Sequence, residues 1–476
     1  MSRKLKEILS EVKRRVTPTE NYKRRILKLA EKFRVKVEEE LKRRGLQAEV
    51  KIEGSIAKDT WLKDDADIDL FMLVPEETPK EALGGIYLEA ARASLKGYRI
   101  VERFAEHPYV EAWVTKKIRV DVVPCYKVKP PKWRSATDRT PYHTEYVRAK
   151  LDEKLKNEVR LLKRFMKGVG VYGSDIKVGG FSGYLAELLV IHYGSFLRVL
   201  EEAPGWGEGR IIDPENFYKG IEEDARRLFG EVPLIVVDPV DKSRNVASPV
   251  RLETLSLFKA SAKAFLKKPD IKFFYPPKVK PLSLQALRRN LQDRGSEFLF
   301  VKIRRVEAVP DILWGQIYKT KKVLRRLLEN YDFKILRDAA WSDENENSIL
   351  IFEVESSKLN EAKRHVGPPV ASLEEENFLR KYVNGENVIS GPCVEDGRWI
   401  VILRRKYHDA RVLLEDKLAN GGRSLGVASR ISESIVRWGV QVLRGNEILG
   451  FYRKNRDFAS FLTCFIRGKP LWLDLD

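Results

Sequence analysis

Cysteine is scarce in this chain. There are three in 476 residues, Cys125, Cys393 and Cys464, far apart and without metal-ligand spacing. So sparse and odd a set excludes a disulfide scaffold and favours a reducing cytosol, so a cytoplasmic location is expected. Long apolar runs are missing as well, and nothing in the sequence approaches the length a membrane-spanning helix needs. The first residues are rich in Lys and Arg and hold no apolar segment, so no secretory signal is expected. Internal repeats and low-complexity tracts are absent. So is any excess of acid: 89 Lys and Arg stand against 69 Asp and Glu, a net charge of +20. That balance points to a polyanionic partner. Few Cys and Met beside abundant Lys, Glu and Arg make a thermophile-like composition. The length exceeds one ordinary core, and about two to four domains are expected.

What the chain does have is a pattern of carboxylates. Gly54-Ser55 is followed, after eleven residues, by Asp67-Ile68-Asp69, which opens an apolar run to Val74. Such a run reads as a buried strand. Side chains at i and i+2 share a face, so Asp67 and Asp69 project together. Two like charges so placed call for a cation between them. Hard carboxylate oxygens suit Mg²⁺, which completes its shell with substrate phosphates. The Gly-Ser turn offers backbone N–H groups and a hydroxyl to a phosphate. A second short strand, Ile118–Val123, carries one acid, Asp121, among apolar neighbours where a lone charge is costly. Three acids from two strands can hold cations that clamp the attacking and leaving oxygens of a phosphoryl displacement. Asp67, Asp69 and Asp121 are therefore the expected catalytic residues and metal ligands. The nearby Asp59, Asp64 and Asp65 read mostly as solvated turn residues.

This pattern resembles the nucleotidyltransferase superfamily that includes DNA polymerase β and the poly(A) polymerases. More closely it resembles the archaeal-type (class I) CCA-adding enzymes, the tRNA nucleotidyltransferases. Further segments similar to that family are Ala105–Tyr109, Ser135–His143, Gly180–Glu187, Asp238–Val246 and Pro310–Gln316. They run through about two thirds of the chain in the family's order. Glu53 stands where the superfamily often has an apolar residue, and is expected not to touch the proposed ligands.

The resemblance implies an α+β, multidomain, head-neck-body-tail architecture. It consists of a polymerase β-like head with a mixed sheet, a helical neck, and an α/β body and tail. The expected bounds are 1–145 for the head, 146–270 for the neck, 271–310 with 390–476 for the body, and 311–389 for a tRNA-binding tail. The implied activity is template-independent addition of CCA to the 3′ end of tRNA, with Mg²⁺ as cofactor and tRNA, ATP and CTP as partners. Pyrophosphate is released as the RNA 3′-hydroxyl, helped to lose its proton by Asp121, attacks the nucleotide α-phosphate. Family members are often dimers, so a homodimer is within the expectation.

The family's nucleotide contacts carry over to particular residues. Ser55 and Lys58 correspond to triphosphate contacts, and a hydroxyl and an ammonium on a tight turn suit that role. His143, Lys163 and Tyr172 correspond to a second triphosphate and sugar group. Lys163 lies on an amphipathic helix, where a lysine is usually solvated, and His143 follows Pro141-Tyr142 in a polar loop. The other histidines, His107, His192, His365 and His408, read as structural or surface residues. Arg244 is the expected reader of the incoming base, through the rigid donor fork of its guanidinium. Its alternative is a structural salt bridge to Asp238 or Asp241. Trp314 with Tyr318, Lys319, Lys321, Lys322, Arg325 and Arg326 makes an aromatic and basic helix suited to RNA. For Trp314 the alternative is a place in the core. The rival activities are a poly(A) polymerase or A-only tRNA nucleotidyltransferase, and a non-catalytic RNA-binding protein.

Periodicity places strands at 48–52, 67–74, 98–102, 110–114 and 119–123, with a helix near 80–95. Thr17 is read as the N-cap of a first long helix, with Pro18 at its first position and Glu20 closing a capping box, and Gly45 stops it. Helices are expected at 146–168, 180–200, 214–229 and 252–267. Downstream, strands are expected at 298–306, 333–340, 349–354, 399–404 and 441–443. Helices are expected at 313–330 and 374–383, and Val366–Val370 is read as a break.

Overall fold

A computed structural model describes residues 2–104, 108–115, 118–207 and 209–473. His107 and most of the Ala105–Tyr109 segment therefore lie outside the described residues. The chain forms two compact units, residues 1–278 with 469–476, and residues 279–468.

The first unit opens with two helices, α1 (Arg3–Val16) and α2 (Glu20–Arg43). The cap of α2 is Thr19 and not the Thr17 that the sequence suggests. The Thr17 backbone N–H closes α1 by donating to Lys13, and Thr19 caps α2 by accepting from the Tyr22 N–H. Strands β1 (Glu49–Glu53), β2 (Ala66–Val74), β3 (Arg99–Phe104), β4 (Pro108–Thr115) and β5 (Ile118–Tyr126) form one mixed sheet in the order β1-β2-β5-β4-β3. Only β2 and β5 run parallel. Alternation along β2 explains its seat. Ile68, Leu70, Met72 and Val74 are fully buried in a cluster with Ile26, Ala30, Phe33 and Val37 of α2, so Asp67 and Asp69 must face the other way.

The short helix α3 (Gly54–Ala57) joins β1 to the loop before β2. The helix expected over 80–95 is broken into α4 (Lys80–Ala82), a π-turn over Leu83–Tyr87, and α5 (Leu88–Ser94). Gly85 adopts non-helical angles in the turn.

Beyond the sheet come α6 (Thr140–Lys150), α7 (Glu153–Val169), α8 (Gly183–Tyr193), α9 (Phe196–Glu202), α10 (Glu222–Phe229) and α11 (Leu252–Lys267). The single helix expected over 146–168 is thus two, because Asp152 turns extended and caps α7 through the Leu155 N–H. Only Glu222–Phe229 of the expected 214–229 helix forms. This region also carries a three-stranded sheet of β6 (Arg210–Ile212), β7 (Leu234–Asp238) and β8 (Asp241–Asn245). Its core holds Phe165, Phe258, Phe265, Phe273 and Phe274. Trp472, from the far end of the chain, joins that core, stacked on Phe273 at 5.3 Å.

The second unit carries α12 (Leu284–Gln292), β9 (Glu297–Arg304), α13 (Pro310–Asn330), β10 (Ile335–Ser342) and β11 (Asn347–Val354). Then come β12 (Ala362–Pro369), α14 (Glu375–Tyr382), β13 (Val388–Glu395), β14 (Arg398–Arg404) and β15 (Val440–Arg444). These strands make one sheet ordered β10-β11-β9-β15 and a small one ordered β12-β14-β13. The expected break at Val366–Val370 is largely inside β12, an outer strand of the small sheet, where prolines are tolerated. Among the described residues, no helix is long and apolar enough to cross a membrane.

Candidate active site

Pairing across the large sheet decides where the acids stand. Asp69 of β2 lies directly beside Asp121 of β5, and Asp67 beside Arg119. On either side, Glu53 of β1 is opposite Asp69, and Glu111 of β4 is opposite Asp121. Four carboxylates, Glu53, Asp69, Asp121 and Glu111, thus form one row across four strands. Directly paired residues share a face of the sheet. This corrects the expectation for Glu53: its register makes it the neighbour of Asp69, whose carboxyl it helps to destabilise as an anion.

The row is short of positive charge. Burial first, then the repulsion of Asp67, pushes Asp69 up to about 7. Asp121 is raised well above the carboxylate range, first by burial and then by Asp69. Its buried Oδ1 has no hydrogen-bond partner, and neither has Glu53 Oε2. Glu111 is better satisfied, accepting from Arg103, Trp113 and Arg119 at 3.2–3.5 Å. Asp67 is held by Arg119, whose Nε donates to Oδ1 at 2.8 Å and whose Nη2 donates to Oδ2. Among the described residues, no trio of acids, His or Cys already stands as a metal cage. Asp69 and Asp121 are paired and under-compensated, while Asp67 is engaged by Arg119. An all-oxygen set with an orphaned buried carboxylate oxygen fits a hard divalent cation.

The Gly54-Ser55 turn packs onto this row. Gly54 has φ +68°, and a Cβ there would stand 1.8 Å from Asp69 Oδ2. Ser55 follows in α3, and Lys58 ends it. Neither Lys58 nor Lys163 is the solvated lysine that its sequence context suggests. Their side chains are 7% and 2% exposed, and both reach Glu187 of α8. Lys163 lies below the ordinary lysine range because of burial, against the pull of Glu187. Tyr172 is raised by burial, and its hydroxyl stands beside Lys163 Nζ over Gly183, where a Cβ would meet the two at 2.9 and 3.5 Å.

The loop between α3 and β2 is pinned from below. Fully buried Arg160 donates from Nε to Trp61 O at 3.1 Å, and from Nη2 to Asp59 O and Oδ1 at 2.6 and 2.5 Å. Asp59 also accepts from Lys23 at 2.7 Å, so it is an anchor rather than a solvated turn residue. Asp64 and Asp65 pair with Arg164 and Lys167. A cavity of about 680 Å³ lined by Lys23, Ile56, Asp59 and Trp61 contains none of the candidate site residues.

His143 is not in a polar loop. It lies in α6, nearly buried, stacked on Tyr184 at 4.0 Å, with Nε2 2.9 Å from Asp238 Oδ2. Buried Asp238 also accepts from Tyr184 Oη at 3.0 Å and Arg244 Nη1 at 2.7 Å. Burial opposes its charge, yet His143 and Arg244 together hold the carboxyl below its usual range. Burial lowers His143 in turn, against the pull of Asp238. Arg244 is therefore the salt-bridge partner of Asp238, and it still keeps a side chain 35% exposed. The ring of Tyr184 lies 5.5 Å from Lys58 Nζ, which links this group to the lysines.

The proposed RNA contacts lie in the second unit. Trp314 is corrected: it is 4% exposed in a core with Leu313 and Ile317, and its indole N–H donates to Glu344 at 3.0 Å. Helical spacing turns it inward, so it offers no face to a base. Arg325 is committed to Glu329 and Asp338, at 2.8 and 2.6 Å, while Arg326 is exposed. His192, His365 and His408 take no part in the site. His365 stacks on Phe378 at 5.9 Å.

Sequence reasoning missed Glu187, Arg119 and Arg160. For Glu187 a signal existed: a lone acid inside the apolar run Leu185–Val190.

Three family models match this chain: a nucleotidyltransferase domain over residues 34–143, the second domain of tRNA nucleotidyltransferase over 157–275, and the C-terminal domain of the CCA-adding enzyme over 294–445. The CCA-adding enzyme of Methanosarcina acetivorans is 38% identical over 420 residues, 88% of either chain. That of Methanosarcina barkeri is 36% identical over 464 residues, 97% of this chain and 98% of its own. The CCA-adding enzyme of Saccharolobus islandicus is 36% identical over 452 residues, 94% and 98% of the two chains. A solved Cid1 poly(U) polymerase covers 56% of this chain and 96% of its own at 16% identity, with a TM-score of 0.45, too loose a likeness to argue from. With relatives this similar aligned along nearly all of both chains, the chain belongs to the CCA-adding enzyme family of tRNA nucleotidyltransferases.

Proposed function

We propose that this chain adds CCA to the 3′ end of tRNA without a template, taking CTP and ATP and releasing pyrophosphate. The observation that carries the site assignment is the side-by-side pairing of Asp69 and Asp121 on the face of the sheet turned away from α2. Asp69 and Asp121, with Asp67 once released by Arg119, are the residues to hold Mg²⁺. When bound, that cation supplies charge neutralisation at the reacting phosphate and acidifies the attacking hydroxyl. Asp121 orients the RNA 3′-hydroxyl and draws on its proton. Ser55 and Lys58 on the α3 turn, with His143, Lys163 and Tyr172, hold the triphosphate and sugar. A fixed donor set of this kind lowers the barrier by position rather than by a dedicated histidine base.

Arg244 reads the base. Its bond to Asp238 uses one terminal nitrogen and fixes the plane of the guanidinium, an arrangement suited to presenting the remaining donors to a base edge. Cytosine and adenine both present a ring-nitrogen acceptor where U and G carry an N–H, so a guanidinium that donates there accepts the first two and rejects the others, while their shared exocyclic amine needs a separate acceptor. Replacing Arg244 by Ala should raise KM for CTP and ATP and shrink their advantage over UTP by about 30-fold, near the 2 kcal/mol one good base contact supplies. Steady-state kcat/KM for each triphosphate on tRNA lacking CCA measures it.

In the second unit, Arg326 and neighbouring exposed lysines of α13 serve the tRNA backbone, within a tail over 311–389. Head (1–145), neck (146–270) and body (271–310, 390–476) complete the division. The decisive assay offers tRNA ending at its discriminator base each triphosphate separately, then CTP with ATP. Two C additions followed by one A are expected. Use of ATP alone would favour the A-only rival.

A further inference from the structure

The charges behind the two lysines of the nucleotide site are unequal. Glu187 is fully buried. Its Oε2 accepts from Lys58 Nζ at 2.6 Å, and its Oε1 accepts from Lys163 Nζ at 2.8 Å and from Thr60 Oγ1 at 2.5 Å. Lys163 Nζ donates to Thr60 Oγ1 as well, at 3.1 Å. One carboxylate thus faces two ammonium groups in a place nearly closed to water. Within this cluster two positive charges face one negative, and the charge left over finds its nearest further counter-charge in Asp69 of the acid row.

We propose that Glu187 is a positioning residue for nucleotide binding: it draws Lys58 and Lys163 together against their repulsion, and the charge left over is the seat for the triphosphate. This rests on the reading above in which both lysines grip the triphosphate. The surroundings are built for the arrangement. Thr60 bridges Glu187 and Lys163, and its loop is pinned by Arg160 at the carbonyls of Asp59 and Trp61. Gly183 leaves the space that Lys163 Nζ and Tyr172 Oη occupy. Lys58 acts on Asp69 as a stabilising charge, so the excess lies toward the acid row. A buried ion cluster contributes little to stability compared with an apolar core, so what it supplies here is geometry.

The test uses the full chain with Glu187→Gln. Three quantities are read on tRNA lacking CCA: KM for CTP, kcat, and the inhibition constant of inorganic tripolyphosphate. KM and the inhibition constant should rise about tenfold with kcat within about twofold, because the lost contact holds ground and transition states alike. Glu187→Asp, which keeps the charge one methylene short, should fall between. In a Lys163→Met background the same change should add less than about threefold, since with one lysine gone there is no repelling pair left for Glu187 to hold together. Unchanged tripolyphosphate inhibition in Glu187→Gln, or full multiplication in the double variant, overturns the inference. If Lys163→Met alone leaves that inhibition unchanged, the triphosphate reading itself falls. If it weakens inhibition and Glu187→Gln does not, only the role of Glu187 falls. Should Glu187→Gln not fold, Glu187→Asp decides by the same constant: a rise supports the proposal and no change overturns it.

Discussion

Asn in place of Asp69 or Asp121 should cut nucleotide incorporation by about a thousandfold while tRNA affinity stays within about twofold. The size follows from the several kcal/mol that a bound cation contributes at a reacting phosphate, about 4 kcal/mol corresponding to three decades of rate. The selectivity follows from position. Both acids lie in the middle of the head sheet, and the change removes charge without changing volume. It also relieves the repulsion that pushes both carboxyls up. Melting in chelator should therefore hold or rise in the variants, which separates lost chemistry from lost fold. Asp64→Asn serves as control. Asp64 is an exposed partner of Arg164, and its loss should leave incorporation within about twofold. Incorporation of labelled CTP, tRNA binding by filter retention and a thermal melt make the set. Persistent activity in Asp121→Asn would remove the basis for the assigned site.

The second large effect is expected at a position with no side chain. Gly54→Ala should lower kcat about a hundredfold. The new methyl would overlap Asp69, with Oδ2 at 1.8 Å and Cγ at 2.7 Å, so the carboxylate must move, and a displacement near 1 Å costs about two decades. Gly45 supplies the matched comparison. Its φ is +67°, almost that of Gly54, but nothing lies within 4 Å of the Cβ position. Gly45→Ala therefore carries only the left-handed backbone cost of about 1–2 kcal/mol, seen in the melt and not in kcat. If the two variants lose activity equally, backbone strain and not crowding of Asp69 is the cause.

Asp67, Asp69 and Asp121 were legible because strands write their burial in alternate letters. Asp67 and Asp69 break an otherwise apolar run, so their common face follows from spacing, and Asp121 breaks a second run, its place beside Asp69 being set by pairing. Register is not written that way. That Glu53 stands beside Asp69 depends on how β1 pairs with β2, and no local pattern gives it. The lysines misled for a related reason. On α7 the charged residues Glu158, Arg160 and Lys163 sit on the buried face, so periodicity counts them as solvent-facing. Their partners, Lys13, Asp59, Thr60 and Glu187, are distant in sequence, and a buried ion pair looks polar until both members are placed. Trp314 failed in the opposite sense. Aromatic residues beside basic ones suggest a nucleic-acid platform, but the inward stripe of α13 claims the ring for the core. Caps were legible only to within a turn: Thr17 and Thr19 flank one proline, and the choice falls to the closing bond of the preceding helix.

Trp472 ties the history of the chain to its structure. The first unit gathers its residues up to 278 and then waits for 469 onward to supply that ring. At about 5–20 residues per second, a ribosome needs roughly 10–40 s to make the intervening stretch. Throughout that interval Phe273 has Phe165 and Phe265 against it but lacks its stacked partner Trp472, so one side of the ring stays open until residue 472 is made.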